Sequence, residues 1–218
     1  MNSPIAIIGL GGHGRVVAAA LQAAGQSIIA ATDLQPARFA QQSLGFEVIS
    51  DEALLQRYSP EQIKVVCGIG SIWPCKLDGP RARAIEKFAS LGYHFVGLRH
   101  PFCWIAPSAQ LADTCQIHAG VVIQPGAIVG DFAIINTRAA VDHDCCIGER
   151  CHIGPGATLS GNVEIGAGSH LGTGCTVIQG IKLGEQCFVA AGATVVADVA
   201  DGQFVRGTPA HPFVPRGC

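Results

Sequence analysis

From Ile105 to Val195 every sixth residue is Ile, Leu or Val, sixteen positions in unbroken register. A six-residue beat fits neither the 3.6-residue period of an α-helix nor the two-residue alternation of an ordinary strand. It fits a prism with three flat faces, each a short strand and a turn, so that about eighteen residues make one coil of a parallel β-helix. The aliphatic residue points inward. Four places on, a second series runs from Ala109 through Cys115, Val121, Ala127 and Ala133 to Val199, small almost throughout. That position is expected to face inward near a corner, where close packing excludes larger side chains. Gly120, Gly126, Gly156, Gly168, Gly174, Gly180 and Gly192 fall at the expected corners, where tight turns favour positive φ. At strand spacing the coils stack about 4.8 Å apart, and each buries its apolar residues only against its neighbours.

Composition excludes several partners. The 218 residues carry 14 basic and 16 acidic side chains, a net charge of −2, so no basic field points to nucleic acid or an anionic membrane. The start, MNSPIAIIGLGGHGR, lacks a basic leader and reads as a buried strand rather than a signal peptide. No apolar stretch reaches the length that spans a bilayer, and a cytoplasmic protein is expected. Ten cysteines raise a disulfide or zinc framework. However, Cys115, Cys145, Cys151, Cys175 and Cys187 all occupy the small inward slot, where a free thiol acts as a small hydrophobe, and no paired C-x-x-C spacing occurs. Reduced, mostly structural thiols and no metal site are expected; Cys67, Cys75, Cys103 and Cys218 have no assigned place.

Residues 1–100 read as a separate α/β domain, and 101–218 as the prism with a C-terminal tail. A strand at 4–9 (PIAIIG) is followed by GLGGHGR, a helical run VVAAALQAAG at 16–25, and a strand SIIAA at 27–31 that ends near Asp33. Strand, Gly-rich turn, helix, strand and then an acid resemble a dinucleotide fingerprint, and the helix N-terminus favours an anion. His13 interrupts the smooth turn, so NAD, a nucleotide-sugar diphosphate and a purely structural turn all stay open, the nucleotide sugar being preferred. A third strand at 63–70, a helix at 80–91 carrying Arg81, Arg83 and Lys87, and a short strand at 94–98 complete a truncated parallel sheet, Rossmann-like but too short for a full doubly wound domain.

On the prism, outward positions are free to vary, so polar clusters there are informative. His143 lies between Asp142 and Asp144 within Asn136–Asp144. A carboxylate on one imidazole nitrogen fixes the tautomer and raises basicity, and the other nitrogen can then take a proton from an attacking amine or hydroxyl. The competing reading is a plain surface histidine. His152 and His170 are one coil apart and should stack on one face. Metal ligation by His143, Asp144 and His152 matches no standard spacing, and no G-x-S-x-G nucleophile motif occurs.

These pieces, GLGGHGR at 9–15, INTRAAVDHDCCIG at 135–148, HIGPGATLSGNVEIG at 152–166 and VRGTPA at 205–210, resemble the sialic acid O-acetyltransferase and UDP-amino-sugar N-acetyltransferase group of left-handed β-helix acyltransferases. The resemblance covers nearly the whole chain. It implies a left-handed hexapeptide prism, acetyl-CoA as co-substrate, and a homotrimer with the cofactor between neighbouring prisms. It implies His143 as general base with Asp144 as its carboxylate partner, and His152 near the acetyl group. Gly161, Thr173 and Ala191 then contact the pantetheine arm, and Asn136 belongs to the acceptor pocket. Gly11, Gly12, His13, Asp33 and Gly70 fall at the nucleotide-sugar site. Two departures touch that site: a single acid, Asp33, where the family carries a pair, and the insertion SIWPCKLDGP at 71–80. The expected reaction is direct N-acetylation of a UDP-4-amino-sugar. O-acetylation of a sugar or sialic acid is the alternative, and a prism-shaped binding scaffold the rival of another class.

Overall fold

The structure, a computed structural model, describes residues 3–70 and 79–214. The described chain divides into two compact units, residues 3–70 with 79–101, and residues 102–214. Cys75, Cys218 and the insertion as far as residue 78 lie outside the described residues.

In the first unit β1 (Ile5–Ile8), α1 (Gly12–Ala23), β2 (Ile28–Thr32), β3 (Glu47–Ile49), α2 (Asp51–Arg57), β4 (Lys64–Cys67) and α3 (Pro80–Ser90) follow in chain order. The strands are parallel and ordered β3-β2-β1-β4. β1 is four apolar residues, all buried, as a strand covered on both faces requires. α1 sets Val17, Ala18, Ala20 and Leu21 into the same core as Ile5, Ile7 and Val66. α2 starts on Ser50, whose hydroxyl accepts from the Ala53 N–H at 3.2 Å, and carries Asp51 and Glu52 in its first turn and Arg57 in its last, each sign favourable to the helix dipole.

Two sequence expectations need correcting here. The first helix begins at Gly12, not Val16, so His13 and Gly14 belong to its opening turn. A side chain at Gly14 or Gly68 would collide with the Gly9 carbonyl, and that close approach is what the glycines permit. Residues 94–98 are not a strand: Phe95 makes one bridge to Val65, and the strand that follows is Leu98–Arg99. The stretch from Leu34 to Gln62, which carries no periodic signal, supplies a 3₁₀ turn (Pro36–Phe39), β3 and α2.

The second unit is the three-faced parallel β-helix. From Trp104 to Val195 its strands are two residues long and pair in register at a step of eighteen: Ile134 with His152, Ala140 with Thr158, Ile128 with Cys146. One face carries Gln116, Ile134, His152, His170 and Phe188 outward, the next Trp104, Val122, Ala140, Thr158 and Thr176, the third Gln110, Ile128, Cys146, Glu164 and Lys182. We call these the His152, Thr158 and Cys146 faces. From Ile117 to Val195 the six-residue aliphatic series is buried apart from no member, and Ile105 and Leu111, in the first coil, are half-buried. The small series is buried from Cys115 onward.

The thiols of that series do more than fill space. Cys145 donates to the Ser160 carbonyl at 3.2 Å, Cys151 to Gly166 at 3.1 Å, and the Ser169 hydroxyl to Gly184 at 2.8 Å, each fifteen residues on. The last coil is two residues short: Phe188 pairs with Phe204 and Leu183 with Val199, a step of sixteen. Val199 therefore stacks on the aliphatic series and not on the small one expected from its count.

The expected corner glycines all have positive φ, and so do Phe132, Arg138, Asp144, Arg150, Asn162 and Gln186. Non-glycine residues in that region carry strain, mildest for Asn and Asp. Asp144, at φ 58°, is therefore held in an uncommon conformation.

Candidate active site

His143 stands on the prism edge between the Thr158 and Cys146 faces. Its backbone is pinned on both sides: its N–H donates to Asp142 Oδ1 at 2.8 Å, and its carbonyl accepts from the Asn162 N–H at 2.8 Å. Asp144 donates its own N–H to the Pro125 carbonyl at 3.0 Å. The His143 Nδ1 then lies 2.8 Å from Asp144 Oδ2. A carboxylate only accepts, so Nδ1 carries the proton and Nε2 presents its lone pair. The Asp144 hydrogen bond raises the His143 pKa above the ordinary 6.5; desolvation opposes it, and the charges of both neighbouring carboxylates add to it. Half the imidazole is exposed, so a base of increased strength faces outward.

Asn136 and His152 form a second pair. The Asn136 Oδ1 accepts from the Thr137 N–H at 2.8 Å, which leaves its amide nitrogen, 3.0 Å from His152 Nε2, to donate. The ring proton of His152 is thereby directed to Nδ1. His152 is buried and lies edge-on to His170, ring centres 4.7 Å apart. The two stack on one face as expected, and the series continues through Phe188 and Phe204. Burial drives the His170 pKa down to about 4.

Asn136, Thr173 and Ala191 lie on a different edge, between the His152 and Thr158 faces. There Thr137, Pro155, Thr173 and Ala191 succeed one another at the coil step, each carbonyl but the last accepting from the glycine that follows the next: Gly156 to Thr137, Gly174 to Pro155, Gly192 to Thr173. Thr173 and Ala191 are exposed, and a Cβ added to Gly156, Gly174 or Gly192 would meet nothing within 4 Å. The edge is thus a strip of small residues and accessible backbone. Within one chain the structure brings His143, Asp144 and Gly161 together, and separately Asn136 with His152, and Thr173 with Ala191. The Thr158 face, on the order of 20 Å from edge to edge for six residues of extended chain, separates the base from the strip.

In the first unit Gly11, Gly12, His13 and Gly70 gather at the carboxyl end of β1 and β4. Gly11 caps α1 without a side-chain partner, and a Cβ at Gly11 or Gly12 would meet nothing within 4 Å. His13 packs against Gly70, where an added Cβ would come within 3.1 Å of its own Cβ. Asp33 follows β2, accepting from the Gln35 N–H at 2.8 Å, with Arg38 3.6 Å away. Arg81, which the sequence offers only as one of three cations on the helix at 80–91, belongs to this end as well: it donates to the Ile69 carbonyl at 2.5 Å and lies 3.4 Å from Cys67 Sγ. Nothing in its helical context marks it; only the fold brings α3 to the end of β4.

Among the described residues no group of His, Cys, Asp or Glu is arranged to hold a metal ion. No described helix is long and apolar enough to cross a membrane.

Residues 4–74 match the PglD N-terminal domain, residues 126–161 the bacterial transferase hexapeptide (six repeats), and residues 144–179 and 162–197 the hexapeptide repeat of succinyl-transferase. Comparison with curated protein sequences gives no match. Among solved structures the chain is similar to the acetyltransferase domain of PglB from Neisseria gonorrhoeae FA1090 in complex with acetyl coenzyme A, 38% identical over 98% of this chain and 100% of that one, with a TM-score of 0.86. It is 34% identical, over 99% of each chain and with a TM-score of 0.85, to a histidine-to-alanine variant of GDP-perosamine N-acetyltransferase from Caulobacter crescentus in complex with CoA and GDP-perosamine. WeeI from Acinetobacter baumannii AYE, 21% identical over 97% of this chain and 100% of that one, shares the fold with a TM-score of 0.84. On these matches across both units, the chain belongs to the hexapeptide-repeat, left-handed β-helix acetyltransferase family.

Proposed function

We propose that this protein transfers the acetyl group of acetyl-CoA to the amino group of a nucleotide-linked amino sugar, of the UDP-4-amino-sugar type, with His143 as general base. The single observation that carries the assignment is the 2.8 Å pair of His143 Nδ1 and Asp144 Oδ2, on a chain whose relatives are an acetyltransferase domain in complex with acetyl coenzyme A and an N-acetyltransferase in complex with CoA and GDP-perosamine. The exposed strip at Thr173 and Ala191 has the small side chains and open backbone that an extended, amide-bearing pantetheine arm needs. Gly11, Gly12, His13, Asp33 and Gly70 are assigned to the nucleotide sugar, the α1 N-terminus being favourable to its diphosphate.

The acyl donor supplies an already activated thioester. His143 Nε2 removes the proton as the amine nitrogen bonds to the acyl carbon. Asp144 holds the ring and steadies its positive charge. His152, with its proton directed to Nδ1 by Asn136, or a prism backbone N–H, donates to the carbonyl oxygen as charge develops there. The carbon–sulfur bond breaks, CoA leaves as thiolate, and the proton on His143 returns to it or to solvent. No acyl-enzyme is required, since holding amine and thioester together supplies much of the rate.

Because one face separates His143 from the Thr173 strip in a single chain, we assign the complete site to a cleft between copies in a homotrimer, whose mass in solution is the direct check. We place the protein in the cytoplasm, where its eight described cysteines, all free, would stay reduced. The deciding assay offers UDP- and GDP-linked 4-amino-sugars and free sialic acids with acetyl-CoA and follows thiol release and product mass. A single acetyl gained on a UDP-linked amine is the expected result; acetylation of a hydroxyl alone would replace this reading.

A further inference from the structure

Outward residues in an eighteen-residue stack sit over one another from coil to coil, so each normally shares space with the residue one coil on. The residue one coil beyond His143 is Gly161, which is buried although it holds an outward corner position. A Cβ built on Gly161 would overlap the His143 ring, falling 2.5 Å from Cε1 and 3.0 Å from Cδ2 and closest to Nε2. The backbone of Gly161 is not in the left-handed region, so conformation does not demand glycine here; only the imidazole does. Asp144 repeats the arrangement one coil back: a Cβ on Gly126 would overlap its Oδ1 and come within 3.4 Å of Cγ. The two halves of the dyad thus lie on two missing side chains.

We propose that Gly161 is a positioning residue for the base: its absent side chain is the seat that holds the His143 imidazole flat on the edge, in hydrogen-bonding reach of Asp144, while Gly126, whose φ of +75° already calls for glycine, leaves room for the carboxylate. This rests on the transferase reading for its consequence in catalysis, though not for the geometry. It departs from the pantetheine contact that family resemblance gives Gly161. The obstacle met by a methyl group at 161 is the far end of an exposed side chain, which can swing away, whereas backbone cannot. Gly161→Ala therefore displaces the ring and leaves the coil intact.

The experiment compares wild type, Gly161→Ala, His143→Ala and the double variant, each with its Tm. Gly161→Ala is expected to keep its Tm within a few degrees, to lower kcat by about 10- to 100-fold, and to leave the KM for acetyl-CoA unchanged. In the His143→Ala background it should cost nothing further, the non-additivity of residues that act through one another. An NMR titration of His143, which needs no substrate, should show its pKa fall toward the ordinary value in Gly161→Ala as the Asp144 bond is lost. A raised KM with unchanged kcat, additive losses in the double variant, or an unaltered titration would each overturn the proposal. If the wild type transfers no acetyl group the reaction assignment falls, while the titration still decides the seating.

Discussion

Asp144 reaches His143 Nδ1 at 2.8 Å from a backbone conformation, φ 58°, that most side chains avoid. The neighbour at sequence position plus one can face the imidazole only because the corner turns sharply there, and Gly126 below leaves room for the carboxylate. The corner turn thus sets the carboxylate beside the imidazole.

The pH profile follows from that pair. As the proposed base, His143 works in its neutral form, and its pKa is raised above 6.5 by the Asp144 hydrogen bond. Activity must therefore rise with pH through that elevated value. Asp144→Asn removes the charge and keeps the shape, so the acid limb of kcat should move to lower pH, toward 6.5, while kcat at its plateau falls about tenfold or more. A kcat profile of the variant measured from pH 5 to 9 checks both parts; an unmoved limb would mean that another group titrates.

Ser169 is the polar member of the small inward series. Its hydroxyl donates to the Gly184 carbonyl at 2.8 Å and accepts from the Cys187 N–H at 2.9 Å, with no exposure at all. Ser169→Ala leaves both backbone groups short of a partner and should cost about 1–3 kcal/mol in urea unfolding. Ser169→Cys should cost less, because Cys145 and Cys151 already make the equivalent bond to a carbonyl fifteen residues on. Equal losses for the two variants would show that the bond is immaterial.

His170 predicts a window of acid sensitivity. Its folded pKa is about 4 against 6.5 for the ordinary side chain, owing to burial. Above 6.5 the folded and unfolded chains are both neutral there. Between 6.5 and 4 the unfolded chain binds a proton that the folded one refuses, so stability is lost as pH falls through that window, by about 1.4 kcal/mol per pH unit for a full proton. His170→Phe extends the aromatic series of Phe188 and Phe204 and should flatten the slope, as read from unfolding midpoints at successive pH values between 7 and 4.

The prism was legible because a residue with one inward neighbour in every coil repeats its steric demand sixteen times; no single position had to be interpreted. His143 and Asp144 were legible because the repeat has no use for them. The seat at Gly161 was within reach of the same arithmetic, since counting eighteen from His143 lands on a glycine. The shortened last coil was not legible: Val199 satisfies both the small and the aliphatic series, and only strand pairing tells them apart. Nor was the opening of α1, where Gly12 and Gly14 oppose a helix by propensity and close contact between Gly9, Gly14 and Gly68 overrides it. Arg81 required α3 to be docked before its proximity to Ile69 could be seen.

The most direct measurement is steady-state kinetics of His143→Ala with acetyl-CoA and the accepted nucleotide-linked amine. Loss of at least about 10²-fold in kcat, with the KM for acetyl-CoA little changed, is the predicted result. A variant that keeps most of its kcat would contradict the assignment of the base.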